Sequence, residues 1–394
     1  MDTHVRRMGL HLEGRAAAAC ITLLLASPVG AASAATLTSA PFGATADGKP
    51  VTRYTMAASS GVSVSFMSYG GTITDVTAPD RQGRPGHIVL GFETLREYET
   101  KSAQGELYFG ALLGRYANWI ARGRFTLGGR SYQLTLSDPP NTIHGGKVGF
   151  DKRMWDVQPG SASGGSVSAL LTYTSPDGEE GYPGTLKVGV TYALSDDGAF
   201  TIRYEGETDR DTVLNPSNHM SFDLAGGGSA GGVLQQVLTV DADSYLPLDR
   251  AQIPLGPVAP VAGTPFDFRT PIAIGARIRD RNEQLAIANG YDQYWVLNKR
   301  GDLAQPPRAV RAYDPGSGRT LEAFTTEPGM QIYTNSFFDG SYSGVGGRYR
   351  QYSAFTLETQ HYPDSPNHPA YPTTELKPGQ VFSSTTVFRF GVRK

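Results

Sequence analysis

From about residue 40 onward, apolar and polar positions alternate in short runs, each closed by turn-forming residues. Successive side chains of a strand point to opposite faces, so a period of two marks a strand with one buried face. Residues 62–71 (VSVSFMSYGG) alternate and stop at Gly70-Gly71. Residues 73–92 give a strand, a polar Gly/Pro turn and a second strand, and 123–136 predicts a hairpin around Gly128-Gly129. The pattern continues through 167–178, 186–208, 234–248 and 382–392, with Asp197-Gly198 marking a tight hairpin turn. Helical periodicity is confined to 90–99 and 272–286, which predict a turn or two each. Strands at this spacing predict an all-β chain of antiparallel sheets, a sandwich or a barrel. There is no fixed-period repeat, which disfavours a propeller or solenoid. The glycine-rich stretch 226–232 lies so close to strand patterns that it reads as a surface loop. One large domain over residues 36–394 is expected.

Residues 1–35 depart from this pattern and read as a secretory signal peptide, cleaved on export to a secreted or periplasmic location. Arg6, Arg7 and Arg15 form a basic region, residues 16–27 an apolar one, and Ala32-Ser33-Ala34 a small-residue cleavage pattern. The Arg6-Arg7 pair is also that of a twin-arginine signal, but the residues after it, Met8-Gly9-Leu10, fit that signal poorly. The apolar run is shorter than the ~20 residues that span a bilayer, so no stable membrane association is expected after cleavage. The single Cys, Cys20, lies within this segment.

Composition narrows the field further. Only 18% of the 394 residues are charged and the formal net charge is -2, so nothing suggests a nucleic-acid partner or an anionic membrane. Gly and Pro are abundant but sit among β-branched and aromatic residues, which argues for a globular, turn-rich chain. One Cys excludes an intrachain disulfide framework and a Cys-built metal site. The sequence contains no HExxH, Walker loop, EF-hand loop or GxSxG elbow, and no GxGxxG between a strand and a helix. Its histidines have no helical ligand spacing. No metal and no cofactor are expected.

Four residues stand out chemically. His144 precedes Gly145-Gly146, where a ligand or backbone can approach closely. His219 sits among Asn215, Ser217 and Asn218, short polar residues suited to fixing an imidazole. Glu358 follows an apolar strand and precedes a Pro-rich aromatic loop, a setting that desolvates a carboxyl and raises its pKa toward that of a base. Asp292 opens a strand beside Tyr291, Tyr294 and Trp295. Taken singly, each also fits a structural role: a turn histidine bonded to backbone, or a strand-end carboxylate capping amides. High aromatic content beside Asn, Asp, Gln and His suits recognition of sugar hydroxyls and ring faces.

Several ordered segments carry a resemblance. They are residues 108–118, 140–156, 175–197, 214–224, 263–269, 291–297, 328–340 and 357–380. In these the chain resembles the aldose 1-epimerase (galactose mutarotase) family over nearly all of residues 40–392. The resemblance implies a β-supersandwich with an open sugar-binding cleft and cofactor-free interconversion of the α and β anomers of glucose and galactose. It implies a small monosaccharide as the partner and a monomer or homodimer. By position, His219 matches the general acid and Glu358 the general base, with His219 protonated and Glu358 ionised in the resting complex. His144, Asp292, Gln331 and Asn118 match residues that bind hydroxyls or the ring oxygen. One position departs from the pattern: the family usually reads Asn-Arg-Ile, and here Asn118 is followed by Trp119 and Ile120. Arg115 and Arg122 are the neighbouring cations available to replace the missing guanidinium. A sugar-binding protein of weak or no catalysis on the same fold is the alternative reading.

Overall fold

A computed structural model of the chain describes Met1 and residues 35–102, 107–160, 162–298 and 305–393. The leader assigned to 1–35 falls almost wholly outside the described residues. The folded unit begins its first strand at Thr36, and Ala35 is already packed in the core.

Among the described residues the three largest sheets, all antiparallel, frame the unit. A five-stranded meander runs from Thr36–Ala44 to Pro85–His87. A nine-stranded sheet is assembled from chain-distant pieces: the C-terminal strand Phe382–Val392 lies between Ala199–Thr208 and Arg319–Thr325. A six-stranded sheet has the order Ser221–Phe222, Phe355–Gln360, Gly329–Tyr333, Asp292–Leu297, Ala242–Leu246 and Ala259–Pro260. The expected all-β supersandwich is what the chain forms. Strands fall where alternation places them, including the hairpins at Gly128-Gly129 and Asp197-Gly198. Among the described residues, α-helical pieces lie at Leu95–Glu97 and Glu283–Ala288. Their side-chain caps are Thr94 and Asn282, each satisfying backbone N–H groups left open at a helix start.

Alternation also decides what each sheet does. In Gly329–Tyr333, Met330 and Ile332 enter the main core, as do Phe355 and Leu357 of the neighbouring strand and Trp295 of the next. They meet residues of the nine-stranded sheet such as Leu171, Val190 and Phe388 in one hydrophobic cluster. Because the period is two, Gln331, Glu358 and Asp292 must lie on the opposite face of the same strands. The core therefore holds a row of polar residues rigidly on its far side.

Candidate functional site

That far face lines a cavity of about 400 Å³. All six residues expected at the site line it: Asn118, His144, His219, Asp292, Gln331 and Glu358. Strand register explains three of them. Gln331 stands directly across from Glu358, and Asp292 is diagonal to Gln331 on the next strand. Glu358 lies within its strand, not at the end. His219 comes from another direction: its backbone N–H bonds the Ala111 carbonyl and its carbonyl accepts from Gly110. The result is a His219 Nε2 to Glu358 Oε1 separation of 3.6 Å.

The polar residues beside His219 act differently from the sequence expectation. Asn218 Nδ2 donates to the Gly110 carbonyl, Ser217 Oγ to that of Thr359, and Asn215 bridges the Ala117 and His361 backbones. They fix the main chain that carries the imidazole and make no bond to the ring. His219 Nδ1 and Glu358 Oε2 are buried without partners. Unpaired buried polar atoms are costly and rare, and two of them in one cavity mark a surface built to receive polar groups.

Charge in the site also departs from expectation. Burial pushes the His219 imidazole down to about 4 and the Glu358 carboxyl well up, with the Asp292 charge raising the latter further. An imidazolium–carboxylate pair was expected. The desolvated cavity favours the neutral acid beside the neutral base, because each charge loses its hydration there.

His144 is held by Asn118, whose backbone N–H donates to His144 Nδ1 at 3.1 Å while the His144 N–H bonds the Asn118 carbonyl. A neutral imidazole has one N–H, so this bond places the proton on Nε2 and makes His144 a donor into the cavity. Burial keeps it neutral, pushing its pKa down. The ligand-type atoms of His144, His219 and Glu358 lie within 4.8 Å of one another, as in a metal site. His144 does not suit that role: Nδ1 has its lone pair engaged and Nε2 carries hydrogen.

Asp292 is buried, with Oδ1 accepting from Gln331 Nε2 at 2.7 Å and Oδ2 from Gln252 Nε2 at 2.9 Å. Burial raises its carboxyl to about 6, against the lowering effect of those two amides. Gln252 escaped sequence reading. It arrives from a loop with no motif, and only the fold brings it to Asp292. Tyr108, Tyr333, Phe337, Phe338 and Asp339 also line the cavity unannounced. Tyr108, Asn118, His144 and Gln252 all have left-handed backbones, with φ of 48, 71, 51 and 60°. For non-glycine residues this costs energy, and such strain gathers where function over-determines geometry.

Trp119 lines the cavity, but its indole N–H is spent on Asp138 Oδ2 at 2.8 Å. Neither neighbouring arginine replaces the missing guanidinium. Arg115 is buried against the 175–183 segment, donating to Ser175 Oγ and to the carbonyls of Ser175, Pro176 and Pro183. Arg122 is exposed and does not line the cavity.

With the geometry established, comparison with known proteins gives a consistent result. The family model described as aldose 1-epimerase matches residues 52–389. Galactose mutarotase of Sus scrofa is 44% identical over 84% of this chain and 91% of its own, and that of Homo sapiens 42% over the same shares. Aldose 1-epimerase of Escherichia coli is 34% identical over 87% of this chain and 96% of its own. The solved galactose 1-epimerase of Lactobacillus acidophilus superposes with a TM-score of 0.79 at 27% identity, covering 91% of this chain and 99% of that one.

Proposed function

Because the chain belongs to the aldose 1-epimerase family, we propose that it interconverts the α and β anomers of free aldohexoses, galactose and glucose among them, with Glu358 and His219 moving the protons. The observation that carries this assignment is the 3.6 Å approach of His219 Nε2 to Glu358 Oε1 inside a cavity lined by hydrogen-bonding groups. The anomeric oxygen and the ring oxygen are bonded to one carbon, so their acid and base must sit this close together.

The steps balance without any other reagent. The Glu358 carboxylate takes the proton of the anomeric hydroxyl, the C1–O bond to the ring oxygen breaks, and that oxygen takes a proton from His219. Glu358 is then a carboxylic acid, His219 a neutral imidazole and the sugar an open aldehyde. Rotation about C1–C2 presents the other carbonyl face, and closure runs the transfers backward. The closed-ring complex thus needs both charges and the open-chain complex neither. Burial that pushes Glu358 up and His219 down favours the protonation state of the open intermediate and offsets part of the cost of opening. The same number of protons is present in both states.

His144 Nε2–H and the Asp292 carboxylate hold sugar hydroxyls on this reading, and Gln331 and Gln252 orient Asp292. The test is polarimetry on freshly dissolved α-galactose and α-glucose. Wild-type protein is expected to speed the approach to equilibrium rotation, and Glu358→Gln to lose a factor of roughly 10²–10⁴. A variant as fast as wild type sinks the assignment of the base.

We also propose that residues 1–35 direct export, supported by their basic, apolar and small-residue order. Among the described residues no helix is long and apolar enough to cross a membrane.

A further inference from the structure

The ionisable acids lining the cavity are Asp292, Asp339 and Glu358, and no Lys or Arg lines it among the described residues. Lys152 approaches from behind, 5.2 Å from the Tyr108 ring centroid, but it is paired with Asp151 and does not line the cavity. Asp339 is kept ionised by hydrogen bonds from Ser341, which lower its pKa. Apart from His144 Nε2–H, which donates into the cavity, and the unpartnered His219 Nδ1, unmatched hydrogen-bonding capacity leans the same way. Gln331 spends its amide N–H on Asp292, leaving Oε1 buried without a partner, and Glu358 Oε2 is alone as well. Both are acceptors. The walls complete the picture: Trp119, its N–H held by Asp138, lines the cavity together with Tyr108, Tyr333 and Tyr342. Aromatic faces attract cations electrostatically.

An acidic, acceptor-rich, aromatic cavity asks for a ligand that brings donors and positive charge. A hydroxyl can donate or accept; an ammonium has three donors and no acceptor; a carboxylate only accepts. We propose that the site selects sugars by charge: it takes hexosamines, monosaccharides with a protonated amino group replacing a hydroxyl, at least as readily as the parent hexoses, and it rejects hexuronates. This deepens the anomer-interconversion reading and rests on it. Trp119 is the specificity-determining residue, since it fills a wall position with an aromatic ring that carries no charge and whose N–H is engaged elsewhere.

Anomer-exchange NMR at neutral pH on glucose, galactose, glucosamine, 2-deoxyglucose and glucuronate tests the proposal. The deoxy sugar separates loss of a hydroxyl from gain of a charge. Glucosamine is expected to match or exceed glucose in kcat/KM, with 2-deoxyglucose below both and glucuronate at least about tenfold below glucose. Trp119→Arg is expected to cut the glucosamine-to-glucuronate ratio by about tenfold or more. Trp119→Phe keeps the aromatic face and should keep the ratio, which guards against reading misfolding as selectivity. Glucuronate turned over within about threefold of glucose, or glucosamine no better than 2-deoxyglucose, overturns the proposal while leaving the epimerase reading intact. Inertness toward glucose and galactose alike overturns both.

Discussion

At the scale of single residues, the site is governed by desolvation, and its sign can be checked in stability. Asp292, raised by burial to about 6, has a folded pKa above its unfolded value of about 3.9. Its contribution is fully present below that lower value and is lost as pH rises through about 6. His219, depressed to about 4, behaves oppositely: its contribution is present above about 6.5 and is lost as pH falls through about 4. Between these limits the two slopes oppose each other in the wild type. Asp292→Asn removes one slope and exposes the other. Denaturant unfolding of the variant at about pH 4.5 and 7 should show a loss on acidification about 2 kcal/mol larger than in wild type. Equal losses in the two proteins would show that Asp292 is not desolvated as described. Glu358, Asp292 and the two histidines were legible in the sequence because each sits in unusual company. Gln252 was not, because its role depends on a contact between residues 40 positions apart.

At the scale of elements, the strand period does most of the positioning and turns do the rest. Alternation sends Met330, Ile332 and Leu357 into the core and so commits Gln331 and Glu358 to the cavity face. The turn that presents His144 depends on glycine. Gly145 has φ of +93°, and a Cβ there would lie 1.9 Å from the Gly114 carbonyl oxygen. Gly145→Ala therefore combines a strained backbone with a main-chain clash and should cost roughly 2–3 kcal/mol in chemical denaturation. The same substitution should shift His144 from Asn118 and lower kcat/KM with little change in secondary structure by circular dichroism. Unchanged stability and activity would mean the turn tolerates what its geometry forbids. The sequence signalled this turn by its Gly-Gly pair. It did not signal that Asn118, across the Trp119–Ile120 and Thr142–Ile143 pairing, fixes the histidine's tautomer.

At the scale of the whole molecule, order along the chain is not order in space. The last strand, Phe382–Val392, is an interior member of the nine-stranded sheet, paired with residues laid down far earlier. The sheet is complete only once this strand has joined it. Ala35 is buried at 3% exposure and belongs to the fold; on the export reading proposed above, cleavage falls at the small-residue motif just before it. N-terminal sequencing of exported protein is expected to begin at or next to Ala35. An uncleaved N-terminus on protein recovered inside the cell would overturn the export reading.

The sequence by itself determined the strand pattern, the hairpin turns and the resemblance that marked six candidate site residues. These follow from local rules: side-chain alternation, turn chemistry and motif order need only neighbours along the chain. The tertiary structure decided which polar atoms are left unpaired, which protonation states burial favours, and what surrounds Trp119. It turned Arg115 away from the cavity and brought Gln252 in. Those outcomes depend on desolvation and on hydrogen bonds between distant segments. Neither is a property of any short stretch of sequence, because each exists only once the sheets have closed over the site.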